Sequence, residues 1–276
     1  MNAAMRFSVL ASGSTGNAVY IEAGSTKILV DAGIGIRQLQ TALSEVAVSP
    51  GDLQAVLVTH EHSDHIKGLA AVVRKWKVPV YTAAGTWSKV RSLWREEEDL
   101  QARQIRSGSV FSLGELAIEP FAISHDAEEP LGFCFYYGGD KLALATDLGY
   151  VNDRVRGATH GAHTLIVESN HDLEMLRTGP YPWHLKRRIL GDKGHLSNDS
   201  ASEFLADVIT DATESVYLAH LSQENNRPEL AVRTVVAGLR ERVAISAERV
   251  TINMTNPNRP TPLTPVRPGR FQISSR

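Results

Sequence analysis

One cysteine, Cys134, stands among 276 residues. No internal disulfide can form and no zinc site can rest on cysteine sulfur, so nothing in the chain asks for an oxidising compartment. Long apolar runs are also missing. None approaches 18 uncharged residues, which excludes a transmembrane helix. The apolar run at residues 7–11 is too short for a signal-peptide core and reads as a first strand. Charge of one sign is lacking as well. The 29 Lys+Arg nearly balance 31 Asp+Glu, a net charge of −2, which does not suit a protein that coats nucleic acid by bulk charge; a local basic groove stays open. Internal repeats and low-complexity segments are absent. A soluble, cytoplasmic globular protein without membrane contact is the expectation. What the chain does have is ten histidines, so any multi-ligand metal site must be built from His, Asp and Glu.

Strand and helix patterns alternate along the chain. Strands are expected at residues 6–11, 18–22, 27–31, 55–59 and 78–81, with helices over 37–46, 66–76 and 85–95. Residues 100–147 read mostly as strands: around 105, then 117–123, 132–137 and 141–145. Helices at 152–157, 172–177, 183–190, 198–209 and 228–241 then alternate with strands at 164–168, 215–219 and 250–253. This order predicts an α/β fold with helices covering sheet faces. Residues 1–254 are expected to form one domain. The tail, residues 255–276, holds five prolines and four arginines and no acid, and is expected to be extended and weakly ordered.

The densest chemistry is Thr59-His60-Glu61-His62-Ser63-Asp64-His65, directly after an apolar strand. In an extended turn His60, His62 and Asp64 project to one side, and His65 enters as the next helix begins. Groups crowded this closely repel one another unless a cation neutralises them. Four ligands in so short a loop can serve two metals but cannot close both shells. Three further strands end on ligand-type residues: His125, Asp147 and His220. Sites in open α/β sheets lie outside the carboxyl ends of strands. A single histidine after a strand is most often a turn residue, so the loop carries the argument and the others complete it.

His60-x-His62-x-Asp64-His65, followed by His125, Asp147 and His220, resembles the metallo-β-lactamase superfamily over about residues 6–253, with Asp31 as an additional match. The resemblance implies a four-layer αβ/βα sandwich with two divalent metal ions, zinc, manganese or iron, at the sheet edges. His60, His62 and His125 would hold one ion. Asp64, His65 and His220 would hold the other, with Asp147 bridging. Finer motifs are Ser12-Gly13-Ser14-Thr15-Gly16-Asn17, Ile123-Ser124-His125-Asp126-Ala127, Glu168-Ser169-Asn170-His171-Asp172, Gly194-His195-Leu196-Ser197-Asn198 and Ala219-His220-Leu221-Ser222. Together they resemble the YycJ/WalJ family, whose members are described as exonucleases acting from the 5′ end of DNA, sometimes linked to cell-wall regulation. Glu168 and His195 match positions where ribonuclease Z-like phosphodiesterases keep a proton-donating histidine and the glutamate that orients it.

What the resemblance implies is a phosphodiesterase in which metal-bridging hydroxide attacks phosphorus and His195, paired with Glu168, protonates the leaving oxygen. Asp64 could also take the water proton. Ser12, Asn17 and His171 are expected to border the substrate. Lys186 and Arg187, in the basic run that ends with Arg188, are read as phosphate contacts on DNA. The acidic run Glu96-Glu97-Glu98-Asp99 argues that its own face does not touch nucleic acid. Arg74, Lys75 and Lys77 read as surface, His160 and His163 as solvent or turn residues, and Cys134 as core. Competing readings are a hydrolase of small phosphodiesters or thioesters, and a metal-binding regulator without catalysis.

Overall fold

A computed structural model describes residues 4–94, 102–243 and 249–267. The acidic run at 96–99 lies outside the described residues. In the first half, strands β1 (Arg6–Ala11), β2 (Ala18–Ala23) and β3 (Thr26–Val30) precede helix α1 (Ile36–Glu45) and strand β4 (Ala55–Leu57). Helices α2 (Ser63–Ile66) and α3 (Leu69–Trp76), strand β5 (Val80–Thr82), helix α4 (Ala84–Val90) and strand β6 (Ala102–Gln104) follow. The second half opens with β7 (Phe111–Leu113), β8 (Leu116–Ala122), β9 (Leu131–Tyr137) and β10 (Asp140–Ala145). Then come α5 (Asp153–Thr159), β11 (Thr164–Glu168), α6 (Leu173–Thr178), α7 (Trp183–Ile189), α8 (Asn198–Val208), β12 (Ser215–Ala219), α9 (Pro228–Arg242), β13 (Thr251–Met254) and β14 (Thr264–Pro265).

Two seven-stranded sheets result, ordered β14-β1-β2-β3-β4-β5-β6 and β13-β12-β11-β10-β9-β8-β7. In the first sheet β1–β3 run antiparallel and β3–β6 parallel; in the second, β7–β10 run antiparallel and β10–β13 parallel. Period-two alternation decides which layer each side chain joins. Ile28 and Val30 of β3, Phe133 and Phe135 of β9, and Leu142 and Leu144 of β10 fill the space between the sheets. Their neighbours Leu29 and Val56 pack outward beneath α1 and α3, while Ala143, Leu165 and Val167 pack beneath α8 and α9. With both faces covered, the strands read as nearly continuous apolar runs. This is the expected αβ/βα sandwich.

Two expectations need correction, and one strand is unexpected. The helix expected over 66–76 is broken at Gly68, which separates α2 from α3. The Gly68 N–H donates to the Ala32 carbonyl at 2.7 Å, and a Cβ there would lie 2.2 Å from the Ile34 carbonyl oxygen. The strand β7 has no counterpart in the pattern; three residues are too few to show alternation. The tail is extended as expected, but up to residue 267 it is packed, not weakly ordered. Its β14 pairs antiparallel with β1, and Val266 is wholly buried between the sheets.

Candidate metal centre

The chain turns sharply where its strands end. Among the described residues only five other than glycine have a left-handed backbone, and three of them follow the ends of β3, β10 and β12: Asp31 (φ 61°), Asp147 (φ 60°) and His220 (φ 54°). Such residues cost of order 1–3 kcal/mol each and persist where the surroundings hold them. Here hydrogen bonds do so. The His220 N–H donates to Ser12 Oγ at 2.8 Å, and Asn170 Nδ2 donates to the His220 carbonyl at 2.8 Å.

The loop after β4 is held by backbone contacts. The Asn17 N–H donates to the Asp64 carbonyl, the Ala32 N–H to the His65 carbonyl and the Gly33 N–H to the Asn17 carbonyl. Gly33 sits so close that a Cβ would lie 1.6 Å from the Asp64 carbonyl oxygen. Gly33→Ala is therefore expected to displace the loop and cost about 2–3 kcal/mol. A fall in the thermal midpoint of roughly 5–10 °C, with loss of bound metal, would register it.

Two clusters of ligand-type atoms face each other across the sheet ends. In the first, His60 Nε2 and His125 Nε2 lie 3.1 and 3.2 Å from His62 Nδ1. Two nitrogens held about 2.0–2.1 Å from one ion at a tetrahedral angle would stand roughly 3.3–3.4 Å apart. Burial pushes the pKa of His60 and of His125 down, and neighbouring imidazoles add to it, so both rings are neutral and offer lone pairs. The second cluster is Asp64, His65, Asp147 and His220. His65 Nε2 lies 3.5 Å from Asp64 Oδ2 and 3.3 Å from Asp147 Oδ2, and His220 Nε2 lies 3.4 Å from Asp64 Oδ2. Asp147 Oδ2 is buried and makes no hydrogen bond. A metal ion would give that oxygen, the facing nitrogens and the two acids one common partner. The N/O donor set suits zinc, manganese or iron, and these residues fit divalent metal binding.

Outer contacts fix the rings. His65 Nδ1 donates to Asp31 Oδ2 at 2.8 Å, leaving Nε2 for an ion. Asp31 also accepts from the Thr59 N–H and hydroxyl, and Thr59 Oγ lies 3.0 Å from His60 Nδ1. His125 Nδ1 lies 3.2 Å from the Gly194 carbonyl. Glu168, fully buried at the end of β11, serves two rings: His220 Nδ1 and His195 Nδ1 each lie 2.8 Å from its Oε1. Its Oε2 accepts from the Leu148 and Leu196 N–H groups. Burial opposes a charge on Glu168, but His195 and His220 outweigh it and bring its pKa down to about 2.

The same balance makes the second cluster proton-rich. Burial opposes charge on His65 and His220, yet Asp147, helped by Asp31 for one ring and by Asp64 and Glu168 for the other, raises both pKa values, that of His220 to about 10. Ions can enter only by expelling those protons. Titration calorimetry at pH 7.5 in buffers of different ionisation enthalpy should show release of about two protons as apoprotein loads. Because the raised pKa values hold protons on the rings, affinity should weaken steadily as pH falls below about 10. Loading without proton release would refute this.

A cleft of about 180 Å³ opens beside His195, lined also by Ser14, Asp126, Asn170, Tyr181, Leu185, Arg188, Ile189, Gly194 and Ser222. The substrate contacts expected from the sequence are mostly elsewhere. Ser12 is turned to the His220 backbone. Asn17 Nδ2 lies 3.1 Å from His65 Nε2 and 3.3 Å from Asp64 Oδ2, among the ligands. His171 is buried, neither ring nitrogen makes a hydrogen bond, and burial brings its pKa down to about 4. Lys186 is buried and donates to the Arg177 and Gly179 carbonyls at 2.8 and 2.7 Å, closing the C-terminal end of α6. Arg187 is exposed, off the cleft. The basic side chain at the cleft is Arg188, whose Nε is 2.5 Å from Asp126 Oδ2. Ser14, Ser222 and Asn170 all stood within the motifs read from the sequence; a helical wheel through Arg188 and Leu185 was the signal for the α7 face. His163 is a buried turn residue: its Nδ1 accepts from the Lys141 N–H. Cys134 is buried.

The family model described as "Beta-lactamase superfamily domain" matches residues 26–221. The chain is 46% identical over 257 residues to "Exodeoxyribonuclease YycJ" of Bacillus anthracis, covering 93% of this chain and 97% of that protein. It is 40% identical over 263 residues to "Exodeoxyribonuclease WalJ" of Streptococcus pneumoniae serotype 2 (strain D39 / NCTC 7466), covering 95% and 98%. Among solved structures, the metallo-beta-lactamase fold protein YhfI from Bacillus subtilis superposes with a TM-score of 0.71 at 15% identity, covering 93% of this chain and 98% of that one, a likeness of fold alone. No helix among the described residues is long and apolar enough to cross a membrane.

Proposed function

The chain belongs to the beta-lactamase superfamily and, within it, to the family of YycJ and WalJ, and we propose that it is a dinuclear metal-dependent phosphodiesterase that degrades DNA from the 5′ end. The observation that carries the chemistry is Glu168 Oε1, shared at 2.8 Å by His220 of the ligand cluster and by His195 of the cleft. His60, His62 and His125 would hold one divalent ion; Asp64, His65 and His220 the second; Asp147 would lie between. When bound, such a pair supplies a water of lowered pKa and positive charge opposite the phosphoryl oxygens.

The side chains do the rest. Glu168 accepts the Nδ1 proton of His195, which fixes the tautomer and leaves Nε2 to give a proton to the departing oxygen. An alkoxide leaves poorly and gains from an acid; a thiolate does not need one. Arg188 lines the cleft beside His195 and is placed to meet a phosphate. Asp31 and Thr59 keep His60 and His65 in the ligating orientation. A cytoplasmic setting and a choice among zinc, manganese and iron belong to the same reading. The test compares turnover of 5′-labelled DNA, bis(p-nitrophenyl) phosphate and a glutathione thioester, with manganese and with zinc. DNA should be shortened from its 5′ end. Thioester turnover without diester turnover would overturn the reading.

A further inference from the structure

We propose that the outer face of α7, carrying Trp183 and Arg187 and continued by Leu190 at its C-terminal cap, is a lip on which single-stranded DNA stacks as it enters the cleft; this rests on the nuclease reading above. Positions 183, 187 and 190 follow the i, i+4, i+7 spacing of one helical face. Trp183 is 63% and Leu190 39% exposed, and Arg187 is exposed between them. The opposite face of the same helix, with Leu185, Arg188 and Ile189, lines the cleft with His195 and Tyr181, and exposed His184 stands between the two faces on the solvent side. A strand leaving the cleft over the exposed side of α7 passes Arg188 and His184 and then reaches Arg187 and the indole.

The lip is held in place. Lys186, between the two faces, is buried and tied to two carbonyls at the end of α6. A tryptophan this open is unusual, since the indole is highly buried on average. Arg187 makes no ion pair among the described residues. An indole beside a free guanidinium offers a base a stacking face and the next phosphate a cation, the pairing by which single strands are held without sequence preference. Duplex DNA offers phosphates but keeps its base faces covered by neighbouring pairs, so the exposed ring selects the single strand.

The test uses metal-loaded protein and a hydrolysis-resistant phosphorothioate strand of about 12 nucleotides. Trp183→Leu keeps the apolar bulk and removes the ring. It should weaken single-strand binding about ten-fold, abolish most quenching of tryptophan emission by the oligonucleotide, and leave blunt-duplex binding unchanged. Arg187→Gln should reduce the slope of log affinity against log salt by about 0.7. Both variants should hydrolyse bis(p-nitrophenyl) phosphate at the wild-type rate. If both bind the strand as wild type does while wild type degrades DNA, the lip is overturned and the nuclease reading stands. If Trp183→Leu turns a dimer into a monomer with unchanged DNA affinity, the face belongs to a second copy and the lip is again overturned. Wild-type protein that neither binds nor degrades DNA overturns both.

Discussion

Replacing His195 with alanine should leave both metal sites filled and lower kcat on a phosphodiester by about 10²–10⁴-fold, the usual worth of a positioned general acid. The contrary reading has a geometric basis. His195 Nδ1 stands 3.9 Å from Asp147 Oδ1, and His195 groups with Asp147, Glu168 and His220 within ligand distance. Its Nδ1, however, is already 2.8 Å from Glu168 Oε1. Elemental analysis of the purified variant decides: His195→Ala with both ions and little turnover makes it the acid, and loss of an ion makes it a ligand. Glu168→Gln should do more damage than His195→Ala. The carboxylate accepts from two imidazoles and two backbone N–H groups. An amide in its place turns an NH₂ toward one of those donor pairs. The variant should lose the His195 contribution and, because His220 loses its orienting partner, about 10–100-fold in metal affinity as well. A Glu168→Gln protein with intact metal affinity would restrict Glu168 to His195 alone.

Which residues the sequence could disclose follows from range. His60, His62, Asp64 and His65 are legible because they are neighbours, and His125, Asp147 and His220 because each ends an apolar run where a sheet edge must lie. Side-chain direction within a short helix was harder. Three consecutive basic residues point about 100° apart on a helix, so Lys186, Arg187 and Arg188 cannot share a role; only the packing of α7 against the end of α6 shows that Lys186 is inward and Arg188 faces the cleft. The partners of Asp31 and the double duty of Glu168 were hidden for another reason. Both connect residues 27–52 positions apart in the chain, with no local pattern to mark them. Asn198 and Asn226 form a buried hydrogen-bonded pair that also holds the Ser169 and Asn170 carbonyls, so part of what the motifs hold is scaffolding, not substrate contact.

Truncation after Met254 should leave a chain that does not hold its fold or its metals. The reason is the packing of the segment whose composition suggested weak order. Proline removes N–H donors and breaks alternation, so a two-residue strand such as β14 leaves no trace in a pattern. Yet the contacts are specific. Thr261 accepts at its hydroxyl from the Val9 N–H and at its carbonyl from Ser8 Oγ, and its own N–H donates to the Val9 carbonyl. The Val266 N–H donates to the Met5 carbonyl, its carbonyl accepts from Thr164 Oγ in the second sheet, and its side chain is fully buried. Burying one valine is worth about 1.5–3 kcal/mol. Each buried polar group stranded by the cut, Ser8 Oγ and the Val9 N–H among them, costs about 1–3 kcal/mol more. The sum rivals the roughly 5–15 kcal/mol by which a typical domain is stable. The site is tied to the same segment: the Ser12 N–H donates to the Asn256 carbonyl, and Ser12 Oγ accepts from the His220 N–H. Chemical denaturation and metal analysis of the chain ending at residue 254 measure both effects. A truncated protein of wild-type stability with two bound ions would show that the strap is dispensable; Val266→Asp, which keeps the chain length and puts a charge between the sheets, should reproduce the truncation if the burial of Val266 is what matters.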